Sequence, residues 1–130
     1  MIQVRARVLV PGEGRGEAVK VEALSFYGEV DPRTGKLVDG RSITGKVLVV
    51  GRPRGSTVGS YTIYGLKYYG RKPAAIIVES GADPILVAGA VLADIPLFDN
   101  ARNILESVDE GDLIEFNREG VVSIVKQGLL

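Results

Sequence analysis

The sequence predicts a single α/β domain spanning residues 1–130, built on a mixed sheet with more strands than helices, and three observations carry that prediction. Lys46-Val-Leu-Val-Val50 is an uninterrupted, β-branched apolar run of the kind found in strands covered on both faces. Behind it, Val58, Tyr61, Thr62, Gly65, Leu66 and Tyr69 recur at the three-and-four spacing of one helical face. A second buried-strand run, Ala74-Ala-Ile-Ile-Val78, follows a stop signal at Gly70-Arg-Lys-Pro73. Together these make a strand, crossover helix and strand unit, long enough for a parallel connection. Both loops that follow its strands leave the same edge of the sheet, so Glu79-Ser-Gly-Ala-Asp83 is expected beside Gly51 to Ser60.

The remaining elements follow in order. Ile2, Val4, Ala6, Val8 and Val10 alternate with Gln3, Arg5, Arg7 and Leu9, which predicts one half-buried strand. Pro11 to Gly16 interrupts it and a second alternating run covers Ala18 to Ala23, so the glycines read as a hairpin loop. Asp31-Pro-Arg-Thr-Gly35 reads as a reverse turn between Phe26–Val30 and Lys36–Val38, with Asp31 serving the turn. Leu37 to Lys46 is expected to be an exposed connection. Asp83 and Pro84 open a helix as N-cap and first helical residue, with an apolar face of Ile85, Ala88, Gly89, Leu92 and Ala93. Pro96 ends that segment, and Ala101 to Val108 fits a short helix or a loop. Asp112–Phe116 and Val121–Lys126 flank Asn-Arg-Glu-Gly120 as a last hairpin.

Composition excludes several functions. Sixteen basic residues balance sixteen acidic ones without a long block of either sign, so there is no electrostatic footprint for nucleic acid or an anionic membrane. No apolar run approaches the roughly 20 residues that span a bilayer, and a cytoplasmic protein is expected. Cysteine and histidine are both absent. Without them the chain cannot supply a disulfide, a thiolate, a Ser-His-Asp triad or the usual ligands of zinc and iron-sulfur centres.

Three readings compete for Gly51-Arg-Pro-Arg-Gly-Ser-Thr-Val-Gly-Ser60. An NTP-binding P-loop fails, because the Gly-Lys-Ser/Thr ending is missing and Gly51 to Gly55 is one residue short. A purely structural turn needs only a glycine and an N-cap from Ser56 or Thr57. An anion-binding catalytic loop needs donors, charge and a reactive side chain together, and Arg52, Arg54, Ser56 and Ser60 provide them.

The run Arg54-Gly-Ser-Thr-Val-Gly-Ser60, with Gly28-Glu-Val-Asp-Pro-Arg-Thr-Gly35 ahead of it and Ile95-Pro-Leu97 behind, resembles the small subunits of the aconitase-X type hydro-lyases. The resemblance covers nearly the whole chain. It implies a swivelling β/β/α domain like that of aconitase, with Ser56 as the base. Arg54 and Arg52 would take the substrate's carboxylate or phosphate, with Gly55, Thr57 and Ser60 as further substrate-binding candidates; helix capping suits Thr57 and Ser60 equally well. It implies no cofactor on this chain, an iron-sulfur cluster on a large partner subunit, and a phosphorylated hydroxy acid, (R)-5-phosphomevalonate, as substrate. A hydro-lyase for another hydroxy acid, or a non-catalytic anion-binding or assembly module, are the alternatives. In aconitase itself the loop runs from its serine pair into an arginine that clamps substrate, whereas the corresponding place here is near Val58. An arginine clamp must therefore come from Arg54, come from the large subunit, or not exist. Tyr61, Tyr64, Tyr68 and Tyr69 read as core and interface residues rather than catalytic acids.

Overall fold

The computed structural model describes residues 1–54 and 59–127. The chain runs through β1 (Ile2–Arg5), β2 (Arg7–Val10), β3 (Gly14–Leu24), α1 (Phe26–Glu29), β4 (Val30–Asp31) and β5 (Lys36–Leu37). It continues through β6 (Val47–Pro53), α2 (Gly59–Tyr68), β7 (Ala75–Val78), α3 (Pro84–Ala93), β8 (Leu97–Asp99), α4 (Ile104–Ser107), β9 (Leu113–Phe116) and β10 (Val121–Val125). Eight strands form one mixed sheet in the order β1-β10-β9-β3-β6-β7-β8-β2, and β4 and β5 form a separate small ribbon.

The N-terminal alternation is not one strand. Ala6 separates β1, which pairs with β10, from β2, which pairs with β8, so successive halves of one segment lie at opposite ends of the sheet order. The ladder thereby returns on itself, as in a barrel. The break is made where the Ala6 N–H donates to the Gly120 carbonyl at 2.8 Å. Gly120 sits at φ +84, and a Cβ there would stand 2.3 Å from the Ala6 oxygen, so only glycine allows this approach. Pro11 to Gly16 is likewise not a hairpin loop, because β2 and β3 are not neighbours. β3 pairs antiparallel with β9 through Gly14–Glu17 and parallel with β6 from Ala18 onward. Alternation marks a strand with one wet face but says nothing about which strand lies beside it.

The two apolar runs are strands buried on both sides, as their sequence demands. Val47 and Val49 join Ala75, Ile77, Phe98 and Ile114 in the core enclosed by the sheet. Leu48 and Val50 face the other way with Ile76 and Val78, under Ile63 and Leu66 of α2 and Leu86 and Ala90 of α3. This gives the two β layers and one helix layer that the resemblance implied. β6 and β7 are parallel, in register from Val47 opposite Ala75 to Val50 opposite Val78.

Helix ends follow their local signals, but helix faces do not. The Asp83 carboxylate accepts the Leu86 N–H at 2.8 Å and Pro84 takes the first helical position of α3. After α2, Gly70 at φ +70 and Arg71 fold back onto the Lys67 and Leu66 carbonyls at 3.1 and 2.7 Å. The buried face of α3 is Leu86, Gly89, Ala90 and Ala93, while Ala88 and Leu92 are exposed. Pro84 to Ala93 holds no polar residue, so nothing in its sequence marks the outer side. In α2 the buried set is Gly59, Thr62, Ile63 and Leu66, and all four predicted core or interface tyrosines, Tyr61, Tyr64, Tyr68 and Tyr69, lie on the surface. The Asp31 turn is as expected: Gly35 N–H donates to the Asp31 carbonyl at 2.8 Å and Arg33 N–H to its carboxylate at 2.9 Å.

One ion pair ties the sheet to the loop after β7. Asp99 on β8 has no exposed surface, and both its oxygens are held by Arg7 of β2, Nε to Oδ1 at 2.8 Å and a terminal guanidinium nitrogen to Oδ2 at 2.6 Å. Oδ2 also accepts the Ala82 N–H at 2.8 Å, which fixes the backbone just before the α3 cap. Burial pushes the Asp99 carboxyl up, but Arg7 and the Ala82 N–H outweigh it and hold the group below its ordinary value of 3.8. A carboxyl depressed on folding stabilises the protein fully above pH 3.8, and that contribution is lost as the pH falls through the lower folded value.

Two outcomes follow. Asp99→Asn should flatten the acid limb of the stability-against-pH curve, and Arg7→Ala should cost roughly 1–3 kcal/mol at neutral pH by leaving a buried carboxylate short of donors; denaturant melts across pH 2–7 measure both. A Cβ at Gly51 would stand 2.4 Å from the Glu22 carbonyl oxygen and 2.7 Å from Leu105 Cδ1. Gly51→Ala should therefore destabilise by about 1–3 kcal/mol, seen as a lowered melting temperature.

Candidate active site

The parallel strands deliver their loops to one edge, as the crossover predicts. Beyond the ladder, Glu79 N–H donates to the Val50 carbonyl at 2.8 Å and Ser80 N–H to the Gly51 carbonyl at 3.0 Å. The segment after β7 thus runs beside the end of β6, and the first residues of α2 and α3 come together there. Gly89 permits the closeness: a Cβ on it would stand 2.9 Å from Ile63 Cδ1 and 3.2 Å from Ser60 Cα. Phe26, Pro53, Arg54, Gly59, Asp83 and Ile85 rim a depression at this edge. Its volume of about 20 Å³ is room for about one water molecule, so a substrate would lie over it and need a second wall. A groove of about 420 Å³ lies on the outer side of β3, β9 and β10, walled by Glu13, Arg15 and Glu115. It lies off the carboxyl edge of the parallel strands, and its charges are of mixed sign.

The predicted site residues are distributed as follows. Arg54 stands at the lip of the depression. Its N–H donates to the Leu24 carbonyl at 2.8 Å, extending the parallel β3–β6 ladder by one bond, and its side chain pairs through one terminal nitrogen with Glu29 of α1. Arg52 is exposed near the end of β6, opposite Ala23 of β3. Ser60 is half-buried in the first turn of α2, where that helix meets α3. Gly55, Ser56 and Thr57 lie outside the described residues, between Arg54 and the start of α2.

Glu29 is the site residue that the sequence reading gave no role. Its Oε1 accepts the Ser25 N–H at 2.7 Å, and that bond, with the Arg54 guanidinium assisting and partial burial opposing, holds the Glu29 carboxyl below its usual range. The four-residue spacing of Ser25 and Glu29 was the available signal, since a carboxylate one helical turn on can reach back to an N-terminal N–H. Asp83 also reaches the rim, but its carboxylate is occupied in capping α3.

Thiols and imidazoles are missing from the composition, and among the described residues no three carboxylates gather into a group that could hold an ion. No helix among them is long and apolar enough to cross a membrane.

Comparison with known proteins agrees with this fold. A family model described as the aconitase X swivel domain matches residues 3–124. The phosphomevalonate dehydratase small subunit of Aeropyrum pernix is 45% identical, over 98% of this chain and 97% of that one. That of Pyrococcus horikoshii is 44% identical, over 95% and 93%. Among solved structures, the holo-form crystal structure of Thermococcus kodakaraensis aconitase X superposes with a TM-score of 0.89 at 36% identity, covering 97% of this chain and all of that one. With the match running through nearly every strand and helix, the chain belongs to the aconitase X swivel domain family.

Proposed function

We propose that this chain is the small subunit of a two-subunit phosphomevalonate dehydratase, a cytoplasmic hydro-lyase that converts (R)-5-phosphomevalonate to trans-anhydromevalonate 5-phosphate on a route to isoprenoids. The observation that carries the reading is the end-to-end similarity to small subunits of that name, at 45% and 44% identity. The site is compatible with it: a sheet edge carrying Arg52 and Arg54, whose depression is too small to enclose a substrate by itself.

The reaction removes a proton from the carbon next to the carboxylate; the freed electron pair forms the double bond as hydroxide leaves the neighbouring carbon. Ser56 Oγ is the proton acceptor in this proposal. A serine hydroxyl is a poor base in water, so in this proposal it acts as an alkoxide stabilised by backbone N–H groups and by the Arg54 cation. Arg54, with Arg52 beside it on the same strand end, takes the substrate carboxylate or phosphate, because a guanidinium forks onto either. Gly55, Thr57 and Ser60 complete the substrate-binding set. An iron-sulfur cluster does not fit this chain, which lacks its ligands, and its place is on the large subunit. That subunit supplies the second wall of the site, with the small subunit closing over it.

The test is made on the complex reconstituted from both subunits. Ser56→Ala should lower turnover of (R)-5-phosphomevalonate by roughly 10²–10⁴-fold, the usual share of a positioned base, while the two chains still co-elute. Near-normal turnover removes Ser56 from the base role, and turnover confined to an unphosphorylated hydroxy acid overturns the substrate.

A further inference from the structure

We infer that Glu29 is a positioning residue for substrate binding, holding the Arg54 guanidinium by one nitrogen at the lip of the depression so that its remaining donors are presented to the substrate's anionic group. The inference rests on the reading of Arg54 as a substrate ligand and adds a residue and a direction of effect to it.

The contact differs in kind from the Arg7–Asp99 pair. Arg7 spends both Nε and a terminal nitrogen on the two oxygens of Asp99, whose side chain has no exposed surface. That fork is fully used, and the pair is structural. Arg54 gives Glu29 a single terminal nitrogen, and among the described residues its side chain makes no other bond. A guanidinium carries five N–H donors, so most of the fork stays available for a carboxylate or phosphate. Its side chain is 56% exposed while that of Glu29 is 28% exposed, so an anion arriving from outside meets the arginine first.

Glu29 is itself fixed, which a competitor for the arginine would not need to be. Phe26, 5% exposed, anchors α1 in the core beneath α2. The Ser25 N–H holds the carboxylate at 2.7 Å. At the other end, the Arg54 backbone is pinned by its bond to Leu24. A long side chain held at both ends has lost much of its rotamer freedom before substrate arrives, and that ordering cost is removed from the binding step.

Steady-state kinetics of the two-subunit complex on (R)-5-phosphomevalonate test this, with the wild type compared to Glu29→Ala, Glu29→Gln, Arg54→Ala and the Glu29→Ala/Arg54→Ala double variant. Glu29→Ala should raise KM about fivefold, the equivalent of freeing one rotamer-rich side chain, with kcat within about twofold of wild type. Glu29→Gln keeps an acceptor oxygen and should recover part of the loss. In the Arg54→Ala background the Glu29 change should add nothing to KM. A KM that is unchanged or lowered in both Glu29 variants overturns the inference, as does a KM effect that persists in full without Arg54. A kcat loss in step with a lowered melting temperature, KM being unchanged, also overturns it and makes Glu29 merely structural. If Glu29→Ala does not assemble, Glu29→Gln decides alone: a raised KM at wild-type melting temperature supports the inference and an unchanged KM refutes it. An Arg54→Ala enzyme with wild-type KM shows a different pattern and removes the parent reading of Arg54, taking this inference with it.

Discussion

Double burial of β6 is the constraint on which the rest of the structure depends. Val47, Leu48, Val49 and Val50 each have no more than 1% of their surface exposed, alternate residues serving the barrel core and the helix layer. A strand in that position must be paired on both edges, and parallel partners β3 and β7 satisfy it. Each parallel partner then needs a long connection, and α2 with its preceding loop is the connection between β6 and β7. The carboxyl end of β6 is thus placed by hydrophobic burial before any polar residue takes part. Gly51 lies where the doubly buried stretch gives way to exposed backbone, with room for no side chain.

Electrostatics then shape the edge that burial has placed. Two arginine-carboxylate pairs flank it with opposite characters. The Arg7–Asp99 pair is two-pronged, has one partner wholly buried, and braces the backbone at Ala82 before the α3 cap. The Arg54–Glu29 pair is single-pronged and half-exposed, beside the depression. The first keeps the scaffold in register, and the second holds the cation that the proposal assigns to a substrate anion. Because the depression has room for little more than a water molecule, recognition by this chain alone would be weak. A partner that closes over the edge turns the same donors into an enclosed site of lower dielectric, where each charge counts for more.

Features encoded by neighbouring residues were legible in the sequence. The strand, loop, helix and strand unit, the Asp83-Pro84 cap, the Gly70 stop, the Asp31 turn and the β9–β10 hairpin all rest on local signals and are present. Features that depend on distant partners were not. One alternating N-terminal run becomes two strands at opposite ends of the sheet order, because the kink at Ala6 is imposed by Gly120. The α3 face was misjudged because that helix is apolar all round, and Tyr61 and Tyr69, which the periodicity set on the buried face of α2, are exposed. Glu29 was part of the family-like motif but had no role in the sequence reading, since its partner Arg54 lies 25 residues away. Of the candidate site, the sheet edge was readable from the crossover, while the Glu29–Arg54 contact required coordinates.

The central claim is that the carboxyl edge of β6 and β7 is the surface that the large subunit and substrate cover. Hydrogen-deuterium exchange of this chain, alone and then in the two-subunit complex with (R)-5-phosphomevalonate, measures that directly. The account predicts that protection on assembly and substrate binding concentrates in residues 24–29, 52–60 and 79–83. Protection confined to the outer side of β9 and β10, with the edge exchanging as fast as in the isolated chain, would contradict it.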